Sequence, residues 1–111
     1  ADETFIVELK SGVISEYVIS PEDFGIKKTP LDSLKAKTSE DSARTIETLF
    51  SNKSSVGEEI VIMNAGAALY VSGLSNTIAE GCILASETIS SGRVYAKLKE
   101  LCNFTQQFTI I

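Results

Sequence analysis

"NAGAALYVSG" (residues 64–73) is a run of small and apolar residues headed by a single amide. With "GEEIVIM" in front of it, the stretch from Ile60 to Val71 is apolar on every side except at Asn64. Glu58 and Glu59 open the run, where carboxylates suit the positive end of a helix dipole. Gly73 is placed to stop it. A helix is therefore expected from about Glu58 to Ser72, and a helix that is apolar all round belongs inside a core. Ala65, Gly66, Ala67 and Ala68 permit close approach of another backbone. Gly66 costs roughly 0.5–1 kcal/mol of helix propensity against Ala unless tight packing compensates.

Upstream, "TFIVELKSGVISEYVIS" (4–20) reads as a β-hairpin turning at Ser11-Gly12, with Gly12 free to take positive φ. That turn pairs Phe5 with Val18, Val7 with Glu16 and Leu9 with Ile14. One face then carries Phe5, Val7, Leu9, Ile14 and Val18, interrupted only by Glu16. The other carries Glu8, Lys10 and Ser15 among Ile6, Val13 and Tyr17. A slip of one residue would undo that sorting. Ser20, Pro21 and Gly25 in "SPEDFGI" bound a single helical turn, and Pro30 leads another short turn in "TPLDSLKAKT". "TSEDSARTIETLFSN" (38–52) makes a helix capped by Thr38 or Ser39, with Ala43, Ile46, Leu49 and Phe50 as its stripe.

Downstream, "SNTIAEGCILASETISSG" (75–92) starts a helix at Ser75 or Asn76, with Ile78, Cys82, Ala85 and Ile89 as the stripe and Gly92 as the break. "RVYAKLKELCNFTQQF" (93–108) makes the last, with Val94, Leu98, Leu101 and Tyr95 inward. The closing "TII" is expected to be frayed or packed as an extended tail. The fold class is α+β, a hairpin followed by about three main helices. A lone hairpin is marginally stable in water, and a helix buried all round needs cover. The chain is expected to lack part of its own core.

The 111 residues fit one domain, able to bury roughly 65% of its extended-chain surface. Ten basic and fifteen acidic residues give a net charge of −5, which lacks the basic footprint of a nucleic-acid binder. No apolar run approaches the roughly 20 residues of a membrane span. Ala1 opens straight into a strand-like run without a signal peptide, and the missing initiator Met points to a cut or trimmed N-terminus. Cys82 and Cys102 form no metal or redox spacing, and read as reduced thiols in or near a core of a cytosolic protein.

The chain holds no histidine, which excludes Ser-His-Asp and Cys-His catalysis and His-based metal sites. Its glycines are isolated, so there is no phosphate-cradling loop. Asp2-Glu3 has the form of a magnesium pair, but a terminal charge pair accounts for it. Glu58-Glu59 and Glu22-Asp23 are accounted for as first-turn carboxylates. Asn64 is expected to satisfy a neighbouring backbone group, with a ligand contact as the alternative.

Three blocks, "VELKSGVISEYVISPEDFG", "IVIMNAGAALYVSG" and "EGCILASETISSGRVYAKLKEL", resemble in that order the C-terminal portion of the anthranilate phosphoribosyltransferase family. The family patterns run like "ELxDGxIxEYxxxPEDFG", "LNAAAALYVAG" and "EGxxxAxxxIxSGxAxxKLxxL", and the resemblance covers about residues 4–103. It implies that residues 1–111 form the C-terminal part of a larger catalytic α/β domain, of phosphoribosyltransferase and nucleoside phosphorylase-like fold, with no internal boundary. It further implies transfer of phosphoribosyl from phosphoribosyl pyrophosphate to anthranilate in tryptophan biosynthesis, with magnesium, in a cytoplasmic homodimer. The partners so implied are the remainder of the enzyme and the two small-molecule substrates, without nucleic acid or membrane. The family's "GTGGD"-like loop and "KHGNR"-like segment have no counterpart here. Asp2 and Glu3 lie too close to the matching hairpin to be the family's magnesium-binding pair. No catalytic, substrate-binding or metal-ligating residue is carried over, and the chain alone is expected to be inactive. The alternatives are a related glycosyltransferase of the same fold, pyrimidine nucleoside phosphorylase-like, and a non-enzymatic interaction module.

Overall fold

A computed structural model describes residues 3–26, 35–51 and 57–107. Strands β1 (Thr4–Lys10) and β2 (Val13–Ile19) form an antiparallel hairpin, and a 3-10 turn follows at Pro21–Phe24. Four helices complete the order: α1 (Ser39–Phe50), α2 (Glu58–Val71), α3 (Ile78–Ser90) and α4 (Arg93–Gln106). Among the described residues the four helices lie where the sequence marks helical segments, at 38–52, 58–72, 75–92 and 93–108. The turn led by Pro30, with Leu31 and Leu34, lies outside the described residues, as do Asp2, residues 52–56 and the closing 108–111.

The hairpin register is the one that the alternation demands: Phe5 opposite Val18, Val7 opposite Glu16, Leu9 opposite Ile14. Its turn has positive φ at both Ser11 (51°) and Gly12 (78°), the twist that matches a right-handed hairpin. The face that meets the helices is the mixed one. Ile6, Glu8, Tyr17 and Ile19 are half-buried, while Phe5, Val7, Leu9, Ile14 and Val18 are 53–72% exposed.

The core lies between α2 and α3. Cys82, Ala85 and Ile89 of the α3 stripe are buried, and Leu49 of α1 joins them. Gly66 of α2 and Gly81 of α3 are buried at the crossing. A Cβ on Gly66 would stand 2.7 Å from Cys82 N and 2.9 Å from its Cα. A Cβ on Gly81 would strike the Gly66 carbonyl. Two backbones in contact at this point are the close packing that Gly66 called for, and α3 is the neighbour.

Within α2 only Gly66 is buried, and Val71 is 83% exposed. The exposed residues of this apolar helix, Asn64, Ala68 and Val71, fall on one flank, and the others besides Gly66 are half-buried around the crossing. The stripe of α1 buries at its end: Leu49 is enclosed, Ala43 and Ile46 are exposed. In α4 Val94, Tyr95 and Leu98 are half-buried, whereas Leu101 is 55% exposed.

Helix ends follow local chemistry. Thr38 caps α1 by accepting from Asp41 N at 3.1 Å. The α3 cap is Thr77, accepting from Glu80 N at 3.0 Å, rather than Ser75 or Asn76. Thr77 is the residue in extended backbone there, and Glu80 reaches back to Asn76 N at 3.1 Å. Gly73 closes α2 with φ 85°. Leu74 N donates to Leu69 O and Gly73 N to Tyr70 O, the paired bonds of a Schellman stop.

Candidate functional site

The junction of the hairpin with α2 gathers polar side chains from three elements. Alternation along β1 puts Glu8 on the helix-facing side, and the register places Tyr17 of β2 on the same side. Near the end of α2, Tyr70 points back at them. The Glu8 carboxylate accepts from Tyr70 Oη at 2.5 Å and from Tyr17 Oη at 2.7 Å. Lys10 stands with its Nζ 5.4 Å from the centre of the Tyr70 ring and donates to Tyr70 Oη at 3.5 Å.

These bonds set the electrostatics. The hydrogen bond from Tyr70, then that from Tyr17, holds the Glu8 carboxyl below its ordinary value. The Tyr17 phenol is pushed up to about 12, first by its bond to Glu8 and then by burial. A carboxylate gripped by two phenols and made less basic is poorly suited to take a proton from a substrate. The cluster is a structural clamp. A cleft of about 340 Å³ lies on one side of Tyr70, bordered by Glu8, Lys10, Ser75 and Asn76. Another of about 380 Å³ also borders Tyr70, lined by Tyr17, Asp23, Phe24 and Ile78.

An apolar groove of about 620 Å³ opens where the four helices meet. Phe50, Val61, Ala65, Leu69, Leu84, Ile89 and Val94 line it, with Ser72, Thr88 and Arg93 as its polar members. Val61, Ala65, Ala68 and Leu69 are α2 residues from the apolar run Ile60 to Val71. On the α1–α4 side, Tyr95 and then Glu47 hold Lys99 above its ordinary value. Lys99 Nζ lies 3.8 Å from Glu47 Oε1 and 5.2 Å from the Tyr95 ring centre.

The acidic pairs weighed from sequence stay apart from these places. Glu3 is exposed, and Asp2 lies outside the described residues. Glu58 and Glu59 occupy the first turn of α2, and Glu59 Oε1 is buried without a hydrogen-bond partner among the described residues. Asp23 accepts from Ser20 N at 2.8 Å, closing its own turn. Among the described residues, no group of three or more His, Cys, Asp or Glu is arranged to hold a metal ion. Asn64 is exposed, not turned to a buried backbone group, because it falls on the uncovered flank of α2. Both cysteines are free thiols; Cys82 is buried and Cys102 is exposed. No helix among the described residues is long and apolar enough to cross a membrane.

The Glu8–Tyr17–Tyr70 cluster is what sequence reasoning missed. The shared face of Glu8 and Tyr17 was visible in the alternation. Tyr70, 62 residues further on, was hidden inside an apolar run.

Comparison with known proteins places this geometry. Residues 1–95 match the model of the glycosyl transferase family, a/b domain. A protein named anthranilate phosphoribosyltransferase from Marinomonas sp. (strain MWYL1) is 41% identical over 110 residues, 97% of this chain and 32% of that protein. Its namesake from Burkholderia ambifaria (strain MC40-6) is 43% identical over 105 residues, 95% of this chain and 31% of that protein. The crystal structure of anthranilate phosphoribosyltransferase from Thermus thermophilus superimposes with a TM-score of 0.83 at 30% identity. That match covers 95% of this chain and 31% of the other. The chain spans about a third of the length of the curated relatives it matches.

Proposed function

The chain belongs to the glycosyl transferase family through its a/b domain, and from that premise we propose that it is the C-terminal part of an anthranilate phosphoribosyltransferase. The observation that carries this reading is identity of 41–43% over at least 95% of the chain to proteins of that name. In the proposed reaction the anthranilate amino nitrogen forms a bond to C1 of phosphoribosyl pyrophosphate. The C1–O bond to pyrophosphate breaks, the leaving group takes the electron pair, and the amine loses a proton. Positioning and charge neutralisation supply most of the catalysis in such a transfer.

Residues 1–111 act as one unit whose part is architectural. The α2–α3 crossing fixes two helices at backbone contact, and the hairpin projects from them with its apolar face free. Exposed Phe5, Val7, Leu9, Ile14 and Val18 supply a surface for the remainder of the enzyme, as does the open flank of α2. Apolar burial is favourable by roughly 25 cal/mol per Å². Magnesium serves the full enzyme in this reading, and the described residues hold no group of three or more His, Cys, Asp or Glu for it. The full enzyme is read as a cytoplasmic homodimer, and the 111-residue chain alone as inactive.

The test is an assay of the intact gene product with anthranilate and phosphoribosyl pyrophosphate, alongside phosphorolysis of pyrimidine nucleosides. Formation of phosphoribosylanthranilate supports the proposal. Turnover of nucleosides with none of anthranilate refutes it and favours the phosphorylase-like relative.

A further inference from the structure

We propose that Glu8 is a positioning latch, a single carboxylate that sets the angle of the hairpin on the helical body by holding one phenol from β2 and one from α2. The latch is a property of the 111-residue chain by itself; in the intact enzyme of the proposed reading the remainder also packs on the hairpin's apolar face.

Ordinary packing does little to fix this hairpin. Within this chain its apolar face is open, and clefts of about 340 and 380 Å³ both border Tyr70. Pro21, fully buried just beyond β2, pins the base of the hairpin. With one end pinned and open space beside the contact, the free end can swing unless directional bonds hold it. Glu8 supplies them, at 2.5 Å to Tyr70 and 2.7 Å to Tyr17. Hydrogen bonds to an ionised acceptor are about twice as strong as neutral ones, and they carry direction. The two bonds do different work. Tyr17 sits diagonally across the hairpin from Glu8, so that bond stays within the hairpin. The Tyr70 bond crosses to α2 and joins the two bodies.

The charged and titratable groups around Glu8 are few. Lys10 comes from β1, Tyr17 from β2 and Tyr70 from α2, while Asp23 borders the far cleft and is held by Ser20 N. Glu8 lies below its ordinary 4.5, so its contribution is present above that value and is lost as pH falls through the lowered one. Tyr17 is raised from 10.0 to about 12, so its contribution is complete below 10.0 and is lost as pH rises through about 12. The bond to α2 is therefore made across neutral pH and lost in acid, while the Tyr17 bond inside the hairpin is lost in strong base.

The experiment uses the full chain, labelled at tyrosine Cζ and backbone nitrogen, observed by NMR in a weakly aligning medium. In the parent protein the Tyr17 and Tyr70 Cζ resonances share one acid inflection below the ordinary carboxylate range, and Glu8→Gln abolishes it. At neutral pH, Tyr70→Phe keeps the ring under Lys10 but removes the bond to Glu8. It is expected to collapse the residual dipolar couplings of β1 and β2 relative to those of α3, with the cross-strand pairing intact. Tyr17→Phe leaves the hairpin attached and its couplings unchanged. Equal loss in both variants, or loss in neither, overturns the latch. So does an acid inflection that survives Glu8→Gln.

Discussion

Replacing Gly81 by Ala sets two physical effects against each other at one atom. Taken as a position in a 13-residue helix, Gly81 is a weak point, and Ala returns roughly 0.5–1 kcal/mol of helix propensity. At the α2–α3 crossing the new methyl meets the Gly66 carbonyl, 2.9 Å from its carbon, and lies 3.0 Å from Ser75 Oγ. Comfortable carbon contacts begin near 3.5 Å, so the helices must part by roughly 0.5–1 Å, which forfeits about a quarter to a half of each dispersion contact along the seam. The obstacle is backbone, which no rotamer change relieves. Overpacking of this kind costs about 1–3 kcal/mol. Because the obstacle is backbone, the upper half of that range, about 2–3 kcal/mol, applies, and the net loss is about 1–2.5 kcal/mol, or a fall in Tm of roughly 5–20 °C for a chain of this size. Urea unfolding followed by far-UV circular dichroism measures it. Ala43→Gly on the exposed face of α1 calibrates the propensity effect alone. A Gly81→Ala protein as stable as its parent, or more stable, refutes the argument.

Three further outcomes follow from other places in the fold. Thr77→Ala is expected to cost about 1 kcal/mol by removing the bond to Glu80 N, whereas Asn76→Ala, which contributes only its backbone N–H there, stays near neutral; thermal unfolding of both decides whether Thr77 is the cap. Ser11 takes a left-handed conformation that disfavours most L-residues, so Ser11→Asn is expected to stabilise the hairpin turn by about 0.5–1 kcal/mol, read as a rise in Tm. Burial pushes the Cys82 thiol up while Cys102 is exposed, so a chromogenic thiol reagent is expected to label one cysteine promptly in the native protein and the second only on unfolding; prompt labelling of both contradicts the buried position.

Much of the molecule is settled by interactions that reach no more than a few residues along the chain. The Ser11-Gly12 turn and strict alternation determine the hairpin register, since a slip of one residue would exchange its faces. Gly73 and Gly92 stop their helices because they alone take the left-handed backbone needed there without a Cβ clash. The lack of a polar face on α2 already called for close neighbours and more cover than one chain of this length provides. Even the family was visible, because its blocks keep their order and spacing.

What depends on distant partners was not decided in that way. The hairpin turns its mixed face toward the helices, where Tyr70 meets Glu8, a contact between residues 62 apart that the alternation does not reveal. Thr77 rather than Ser75 or Asn76 caps α3, since the backbone leaves the α2 stop in the direction that makes Thr77 the last extended residue. Most plainly, the sign of a methyl at Gly66 or Gly81 reverses between the two levels. Along the chain it is a gain in propensity; at the crossing it is a collision, because only there do two backbones occupy the space where a side chain would go.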